Sequence, residues 1–218
     1  MEAKNIIRSF KDFIGQNEFP CVAARAALHK DQIHCMVADH MRCPASDMQV
    51  LDFLYDFINS YRQTDKTFHS AAIIFRQPKL VDEVTFDAMV WERLAALRQI
   101  DAQQYDHDPR VDADPRSPNY SFSLKEEALF VVGLNPASSR KARQFAYPAL
   151  VFNPHQQFEI LRQRNQFTKL RNTVRKRDLS YSGSINPMLG DFGTASEAYQ
   201  YSGLKHDESW KCPLKKYA

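Results

Sequence analysis

The sequence lacks a long apolar run. Its longest apolar stretch, 128–134, is far shorter than the roughly 20 residues that a membrane-spanning helix needs. The first residues, Met1-Glu2-Ala3-Lys4, mix charges and lead into no apolar segment of the kind found in secretory signals. We therefore expect a cytoplasmic protein with no membrane-spanning segment.

Cysteine is also scarce, and in the cytoplasm cysteines are expected to be free thiols rather than disulfides. The chain has four of them, Cys21, Cys35, Cys43 and Cys212. His34, Cys35, His40 and Cys43 lie close together, but their spacing fits no established zinc pattern. If residues 32–38 form a strand, His34 and Cys35 point to opposite faces, which favours scattered strand and loop residues over a metal site.

Repeats, low-complexity tracts and a clear interdomain linker are absent from the 218 residues. With 44% hydrophobic and 25% charged residues, the composition is globular, and the length suits one domain spanning 1–218. A stretch rich in proline and aspartate, 106–119, predicts a long surface loop inside that domain.

Positive charge is concentrated in one block. Residues 140–177 hold 10 Lys/Arg and one acid, whereas residues 1–139 hold 15 Lys/Arg against 20 Asp/Glu. Such a block indicates an anionic partner or a solvated basic face. The acidic remainder and the modest number of interleaved aromatics argue against nucleic acid. We expect the outer arginines of the block to lie on a solvated helix face.

Three helices are predicted from apolar spacing. The first begins after Ser46, which with Gln49 fits a capping box, and its apolar stripe runs from Val50 to Tyr61. The second begins near Thr85. The third opens at Asn153-Pro154-His155-Gln156, with Asn153 as the capping residue, and is expected to run to about Arg175.

Six strands are predicted, at 21–28, 32–38, 71–75, 120–124, 128–134 and 150–152. The first pair and the fourth and fifth strands are expected to form hairpins. Because the strands do not alternate regularly with helices, we expect the α+β class: a largely antiparallel sheet, three main helices and an irregular C-terminal stretch.

His155 is the leading candidate for a site. Its predicted place at the second position of a helix disfavours protonation, since the helix dipole is positive there, and a neutral imidazole suits a metal. The alternative is a histidine that simply hydrogen-bonds near a helix start. Its neighbours in sequence favour function, since they are aromatic and cationic: Phe145, Tyr147, Phe152, Phe158, Arg140 and Arg143.

An apolar slot, an imidazole and two cations are the parts that a haem requires. Arg140 and Arg143 follow the turn 136–139, where guanidinium groups suit clamping a carboxylate or a phosphate, such as the haem propionates. Cys21 is the rival iron ligand, because a thiolate favours O–O cleavage. Its alternative role is a small buried hydrophobe.

Five longer motifs together resemble the YqcI/YcgG family, over about 19–213. They are Phe19-Pro20-Cys21, Gly133-Leu134-Asn135-Pro136-Ala137-Ser138-Ser139-Arg140, Leu150-Val151-Phe152-Asn153-Pro154-His155-Gln156-Gln157-Phe158-Glu159, Gly183-Ser184-Ile185-Asn186-Pro187-Met188-Leu189 and Gln200-Tyr201-Ser202-Gly203. The stretch around His155 is the most specific of them. The family pattern often has histidine at the position of Asn135, so His155 becomes the imidazole candidate in this chain.

The resemblance implies a haem b enzyme that N-hydroxylates guanidine groups, with arginine or a cyclic guanidine as substrate, and it is nearest to the guanitoxin-type branch. Its partners would be that small molecule and an electron donor or a peroxide, and a homodimer is compatible with this. A guanidinium needs a planar bidentate acceptor, and Asp191 and Glu197 are the candidates, with ordinary surface carboxylates as the alternative. The competing hypothesis is a non-enzymatic binding module that uses the basic 140–177 face.

Overall fold

The computed structural model describes residues 2–64, 67–185, 193–207 and 209–214. Within these ranges the chain forms six α-helices and one five-stranded sheet. The helices are α1 Ala3–Gly15, α2 Val22–His29, α3 Asp47–Arg62, α4 Glu83–Asp101, α5 Gln156–Gln163 and α6 Phe167–Ser182. The strands are β1 Ile33–His40, β2 Ser70–Gln77, β3 Phe122–Leu124, β4 Glu127–Leu134 and β5 Ala149–Pro154. Short 3₁₀ turns occupy Pro44–Ser46, Lys141–Arg143 and Glu197–Gln200.

The sheet has the order β1-β2-β5-β4-β3. The β1–β2 pair is parallel and the other three pairings are antiparallel. The predicted α+β class with a largely antiparallel sheet is therefore confirmed. The β3–β4 hairpin is also confirmed, with Phe122 opposite Leu129.

Helices cover both faces of the sheet. Alternate residues of β2 point to opposite sides, so Ile73 packs in the cluster with α3 and α4 while Ile74 packs in the cluster with α1. Burial on both faces explains why β2 reads as a continuous apolar run instead of an alternating one. None of the helices in the described ranges is long and apolar enough to cross a bilayer.

The two helices predicted from the clearest apolar spacing are confirmed as α3 and α4. Their starting contacts differ from the prediction. The Ser46 hydroxyl donates to the carbonyl of Cys43 and does not cap α3. The Asp82 carboxylate, which was not predicted to cap, accepts the backbone N–H of Thr85 at 2.8 Å and caps α4.

The predicted strand 21–28 is wrong, and so is its predicted hairpin with 32–38. Residues Val22–His29 form α2, and Cys21 is its N-terminal cap, with Sγ accepting the backbone N–H of Ala24 at 3.4 Å. Four alanines in eight residues favour a helix, because alanine loses no side-chain entropy there. β1 pairs instead with β2.

The third predicted helix differs at both ends. Asn153 and Pro154 belong to β5, and the Asn153 amide donates to the carbonyl of Phe130 at 3.2 Å instead of capping a helix. His155 occupies the capping position of α5. The expected single helix is divided between α5 and α6 at Asn165, whose φ of 56° is left-handed. Asparagine tolerates this conformation better than most residues.

The proline-rich loop 106–119 is pinned to the sheet by Asp108, which is fully buried. Its carboxylate accepts the backbone N–H of Ala128 at 2.8 Å and the guanidinium of Arg110 at 2.6 Å. Burial alone would raise the pKa of Asp108, but the hydrogen bonds from Arg110 and Ala128 outweigh burial and lower it. This loop is thus a fixed part of the fold that buttresses the β3–β4 hairpin.

We expect Asp108→Asn to lower the free energy of unfolding by about 1.5–3 kcal/mol, the usual contribution of hydrogen bonds to a charged group. Asp114→Asn is the matched control, since Asp114-Pro115-Arg116 has the same residues as Asp108-Pro109-Arg110 but its aspartate is only half-buried and pairs with an exposed arginine. It should change the free energy by less than about 1 kcal/mol. Urea unfolding measures both, and equal effects would contradict this account of Asp108.

Candidate functional site

A partly enclosed cavity of about 240 Å³ lies where α2, β4, α5, α6 and the turn Glu197–Gln200 meet. This volume is slightly below the range of roughly 300–1,000 Å³ that is usual for small-molecule pockets. The wall is mostly apolar, formed by Phe68, Phe130, Val132, Phe158, Leu161, Phe167, Leu170 and Val174. We call this cavity the His155 pocket.

His155 is buried and lies at the junction of β5 and α5. Its backbone N–H donates to the carbonyl of Ala128 at 2.8 Å, which continues the β4–β5 ladder by one residue. Its Nδ1 lies 3.3 Å from Oε1 of Glu197, and its Nε2 lies 3.3 Å from Oε1 of Glu159. A carboxylate on one ring nitrogen fixes the tautomer and strengthens the other nitrogen as a ligand.

Glu197 is buried in the turn Glu197–Gln200 and lines the pocket. One oxygen faces His155, and the other accepts the hydroxyl of Tyr201 at 3.5 Å. Both oxygens thus face protein groups, an arrangement that orients His155 and differs from the expected open acceptor for a guanidinium. Asp191, the other expected acceptor, lies outside the described residues.

Cys21 lines the same pocket from the start of α2. Burial raises the pKa of its thiol, and the backbone N–H groups of Ala24 and Ala23 only partly offset this. Cys21 therefore stays protonated at neutral pH. Of the two expected iron ligands, His155 has the stronger supporting contacts and Cys21 serves first as a helix cap.

The cations of the pocket come from α5 and α6. Arg162, Arg171 and Arg175 line it, and all three are half-buried. We expected the outer arginines of this block to be solvated, so their position at the pocket is a correction. A helical stripe of partly buried residues, Phe167, Leu170, Arg171, Val174 and Arg175, places them there, and it follows the 3.6-residue period.

Arg140 and Arg143, the expected clamp, do not line the pocket. The guanidinium of Arg140 is 2.6 Å from the carboxylate of Asp178. Arg143 is buried and donates to the backbone carbonyls of Gly133, Gln200 and Tyr201 at 2.7–3.1 Å. Burial, with the nearby charge of Arg140, lowers the pKa of Arg143 to about 10, so it remains a cation at pH 7 and holds the backbone.

Two further expected positions also lie away from the pocket. Phe152 points to the opposite face of the sheet, where it packs with Phe122 at a ring-centroid distance of 6.2 Å. Asn135 is buried and donates to the carbonyl of Val81 at 3.1 Å. Asn135 is not among the pocket residues.

The basic 140–177 block does not form one uniform face. Arg140 and Arg143 have internal partners, and Arg177 donates to the carbonyl of Phe19 at 3.2 Å. Arg162 pairs with Glu159. The exposed cations of the block are Lys141, Arg164, Lys169 and Lys176. Four of the ten cations in the block therefore have internal partners, four are exposed, and Arg171 and Arg175 line the pocket.

The fold and the cavity define an α+β protein with a small apolar pocket that holds an imidazole, a thiol and a cationic margin. The chain belongs to the YqcI/YcgG family, whose sequence model matches residues 10–215. It is 29% identical over 212 residues to a protein of Bacillus subtilis (strain 168) called "Uncharacterized protein YqcI", covering 92% of this chain and 82% of that one. No solved structure matches the chain.

We expect Arg143→Met to lower the free energy of unfolding by about 3 kcal/mol or more. The substitution leaves the buried carbonyls of Gly133 and Gln200 without their Arg143 donor, and takes one of two donors from the carbonyl of Tyr201. An unsatisfied buried acceptor costs about 1–3 kcal/mol. Lys141→Met, in the same 3₁₀ turn but exposed, is the control and should change it by less than about 0.5 kcal/mol. Urea unfolding measures the free energy of both variants. An Arg143→Met protein as stable as wild type would show that the hydrogen bonds of Arg143 to these carbonyls are dispensable for stability.

Proposed function

We propose that this protein binds haem b in the His155 pocket and N-hydroxylates a guanidine-containing small molecule, either arginine or a cyclic guanidine. The observation that carries the proposal is a buried imidazole, backed by the carboxylate of Glu197, in an apolar pocket bordered by arginines. The resemblance within the YqcI/YcgG family supplies the substrate class.

The pocket residues fit haem in their chemistry. Phe68, Phe130 and Phe158 supply flat apolar contacts for a porphyrin, and His155 supplies a nitrogen donor. The Glu159 carboxylate next to His155 Nε2 is half-exposed and also pairs with Arg162, so it can swing towards solvent and leave Nε2 to the iron. Cys21 is the alternative ligand, and it would have to lose its thiol proton first.

The rim arginines take over the role that the sequence suggested for Arg140 and Arg143. Guanidinium groups bind carboxylates through two parallel hydrogen bonds, so Arg171 and Arg175 suit the haem propionates. Arg162 lies over the ring of Phe167 at 4.2 Å, which orients a third cation at the same pocket. A substrate carboxylate, such as that of arginine, suits the same cations.

When bound, haem would supply the activation of dioxygen or a peroxide that inserting one oxygen atom into an N–H bond requires. The chain's own residues have simpler tasks. His155 would hold the iron, Glu197 would keep the imidazole in one orientation, and the apolar wall would exclude water from the reacting group. The external partner is an electron donor or a peroxide.

We expect the protein, expressed with a haem precursor, to show a Soret band. Because loss of the axial nitrogen removes the bond that holds the iron, His155→Ala should weaken haem binding at least about tenfold, the lower bound seen even for residues that only support a ligand. His34→Ala, which removes an exposed imidazole elsewhere, is the matched control. Haem titration followed by visible absorption measures all three proteins.

A colourless wild-type protein would sink the proposal and favour the binding module with the basic 140–177 face. A normal band in His155→Ala together with an altered band in Cys21→Ala would move the ligand to Cys21. Product analysis with arginine and a cyclic guanidine, using either a reductant with oxygen or a peroxide, then tests the reaction. Absence of a hydroxyguanidine product from the haem-loaded protein would reject the activity while leaving haem binding intact.

The rim arginines give a separate prediction. Arg171→Gln and Arg175→Gln should each weaken haem affinity by about tenfold or more, since a charge-assisted hydrogen bond contributes roughly 1.5–3 kcal/mol. Lys169→Gln and Lys176→Gln are the controls, because each removes one positive charge from the exposed side of the same helix. If the lysine variants weaken binding as much as the arginine variants, the effect is general charge and not contact with the propionates.

A further inference from the structure

A row of aromatic rings leads from the His155 pocket towards the surface. The ring of Tyr201 stacks on Trp91 with centroids 5.9 Å apart, and Trp91 lies 5.6 Å from Trp210. Trp210 in turn lies 4.8 Å from Tyr199. The chain has two tryptophans, and both belong to this row.

The inner end of the row meets the pocket through Glu197. The hydroxyl of Tyr201 lies 3.5 Å from one oxygen of that carboxylate, whose other oxygen lies 3.3 Å from Nδ1 of His155. Tyr201 is fully buried, and its hydroxyl accepts the backbone N–H of Phe122 at 2.9 Å. A phenol with a carboxylate beside it can release its proton when it loses an electron and recover it afterwards.

The outer end of the row is accessible. Trp210 and Tyr199 are half-buried, and Trp210 stacks on His206 with centroids 4.0 Å apart. Asp87 links this end to the interior, because one of its oxygens accepts the indole N–H of Trp91 at 3.1 Å and lies 3.3 Å from Nε2 of His206. The row thus connects a buried phenol to solvent through rings in contact.

We infer that Tyr201, Trp91 and Trp210 form an electron relay that delivers single electrons from a surface reductant to the His155 pocket. The inference rests on the proposed function, because haem, when bound, would supply a one-electron oxidant in the pocket. Tunnelling of an electron weakens steeply with distance, so rings in contact exchange an electron far faster than separated ones. The relay would reduce the oxidant in the pocket whenever no substrate is bound there.

Each step balances. Tyr201 gives one electron to the oxidant in the pocket, and its O–H bond breaks as its proton passes to Glu197. The Tyr201 radical then takes one electron from Trp91 and its proton back from Glu197. Trp91 takes one electron from Trp210, which takes one from a small reductant such as a thiolate. The thiolate becomes a thiyl radical, one electron has crossed the protein, and no proton is gained or lost overall.

Ordinary core packing would also bring aromatic rings together, since such pairs are stabilising at centroid distances of about 4.5–7 Å. Tyr55 provides the comparison within the same protein. Its hydroxyl donates to the carboxylate of Asp101 at 2.7 Å and its ring contacts Tyr105 at 5.3 Å. Like Tyr201, Tyr55 therefore has a carboxylate next to its hydroxyl. Its neighbouring ring, however, is the phenol of Tyr105 and not an indole.

Pulse radiolysis of the haem-free protein tests the coupling between Tyr201 and the two tryptophans, because the same ring contacts carry an electron in either direction. Azide radicals oxidise indoles in preference to phenols. Oxidation of the protein therefore begins at Trp91 or Trp210, since the chain has two tryptophans. We expect the absorbance of the indole radical to decay at a rate independent of protein concentration, while that of a phenoxyl radical rises. Deuterium oxide should slow the step, because a proton moves together with the electron.

Tyr201→Phe should lose more than half of the phenoxyl radical, and Trp91→Phe should do the same by removing the bridge to Trp210. Tyr55→Phe is the matched control and should behave as wild type. Circular dichroism checks that the variants fold, and Trp91→Phe carries the test if Tyr201→Phe does not. A wild-type phenoxyl yield in Tyr201→Phe or in Trp91→Phe, or a loss found in Tyr199→Phe instead, would overturn the relay.

The two proposals fail separately. Loss of radical transfer in a protein that has a normal Soret band overturns the relay alone. A protein without a Soret band overturns the proposed haem function and with it the oxidant that the relay serves, whatever the radical measurement shows.

Discussion

The buried guanidinium of Arg143 is the constraint on which the site depends. A buried cation is costly unless its hydrogen bonds are satisfied, and Arg143 finds its acceptors in the carbonyls of β4 and of residues 200–201. Gly203 allows this approach, since a Cβ there would lie 2.7 Å from the Arg143 side chain. The clamp therefore fixes the turn that carries Glu197 against the sheet, and Glu197 in turn orients His155.

Gly133 of β4 also allows the segment around Tyr201 to pack closely against the sheet. A Cβ at this position would lie 2.9 Å from the ring of Phe86 and 3.0 Å from the carbonyl of Tyr201. The backbone N–H of Gly133 donates to that carbonyl at 2.6 Å. The segment after the turn thus continues the hydrogen bonding of β4 beyond β3, and it brings Tyr201 between the pocket and the tryptophans.

Particular residues show where the sequence was informative. Spacing of three and four residues located α3 and α4, and alternation located the β3–β4 hairpin, because each signal is local and each element buries one clear face. Periodicity gave no warning at 21–28, where an apolar alanine-rich stretch fits a strand and a short helix equally. Asn165 divides α5 from α6 through its own left-handed backbone, which leaves the apolar spacing on both sides intact.

By itself the sequence determined that His155, Cys21, Phe158 and Glu197 are candidate site residues, and the structure places these four around one cavity. The sequence motifs also identified the YqcI/YcgG family. Only the tertiary structure decided which arginines border that cavity, since Arg143 finds acceptors more than fifty residues away while Arg171 and Arg175 reach the pocket along a helix face. The tertiary structure also decided that Phe152 lies on the face opposite the pocket. Neighbouring residues of a strand point to opposite faces, and the helices that pack on the sheet determine which face holds the pocket.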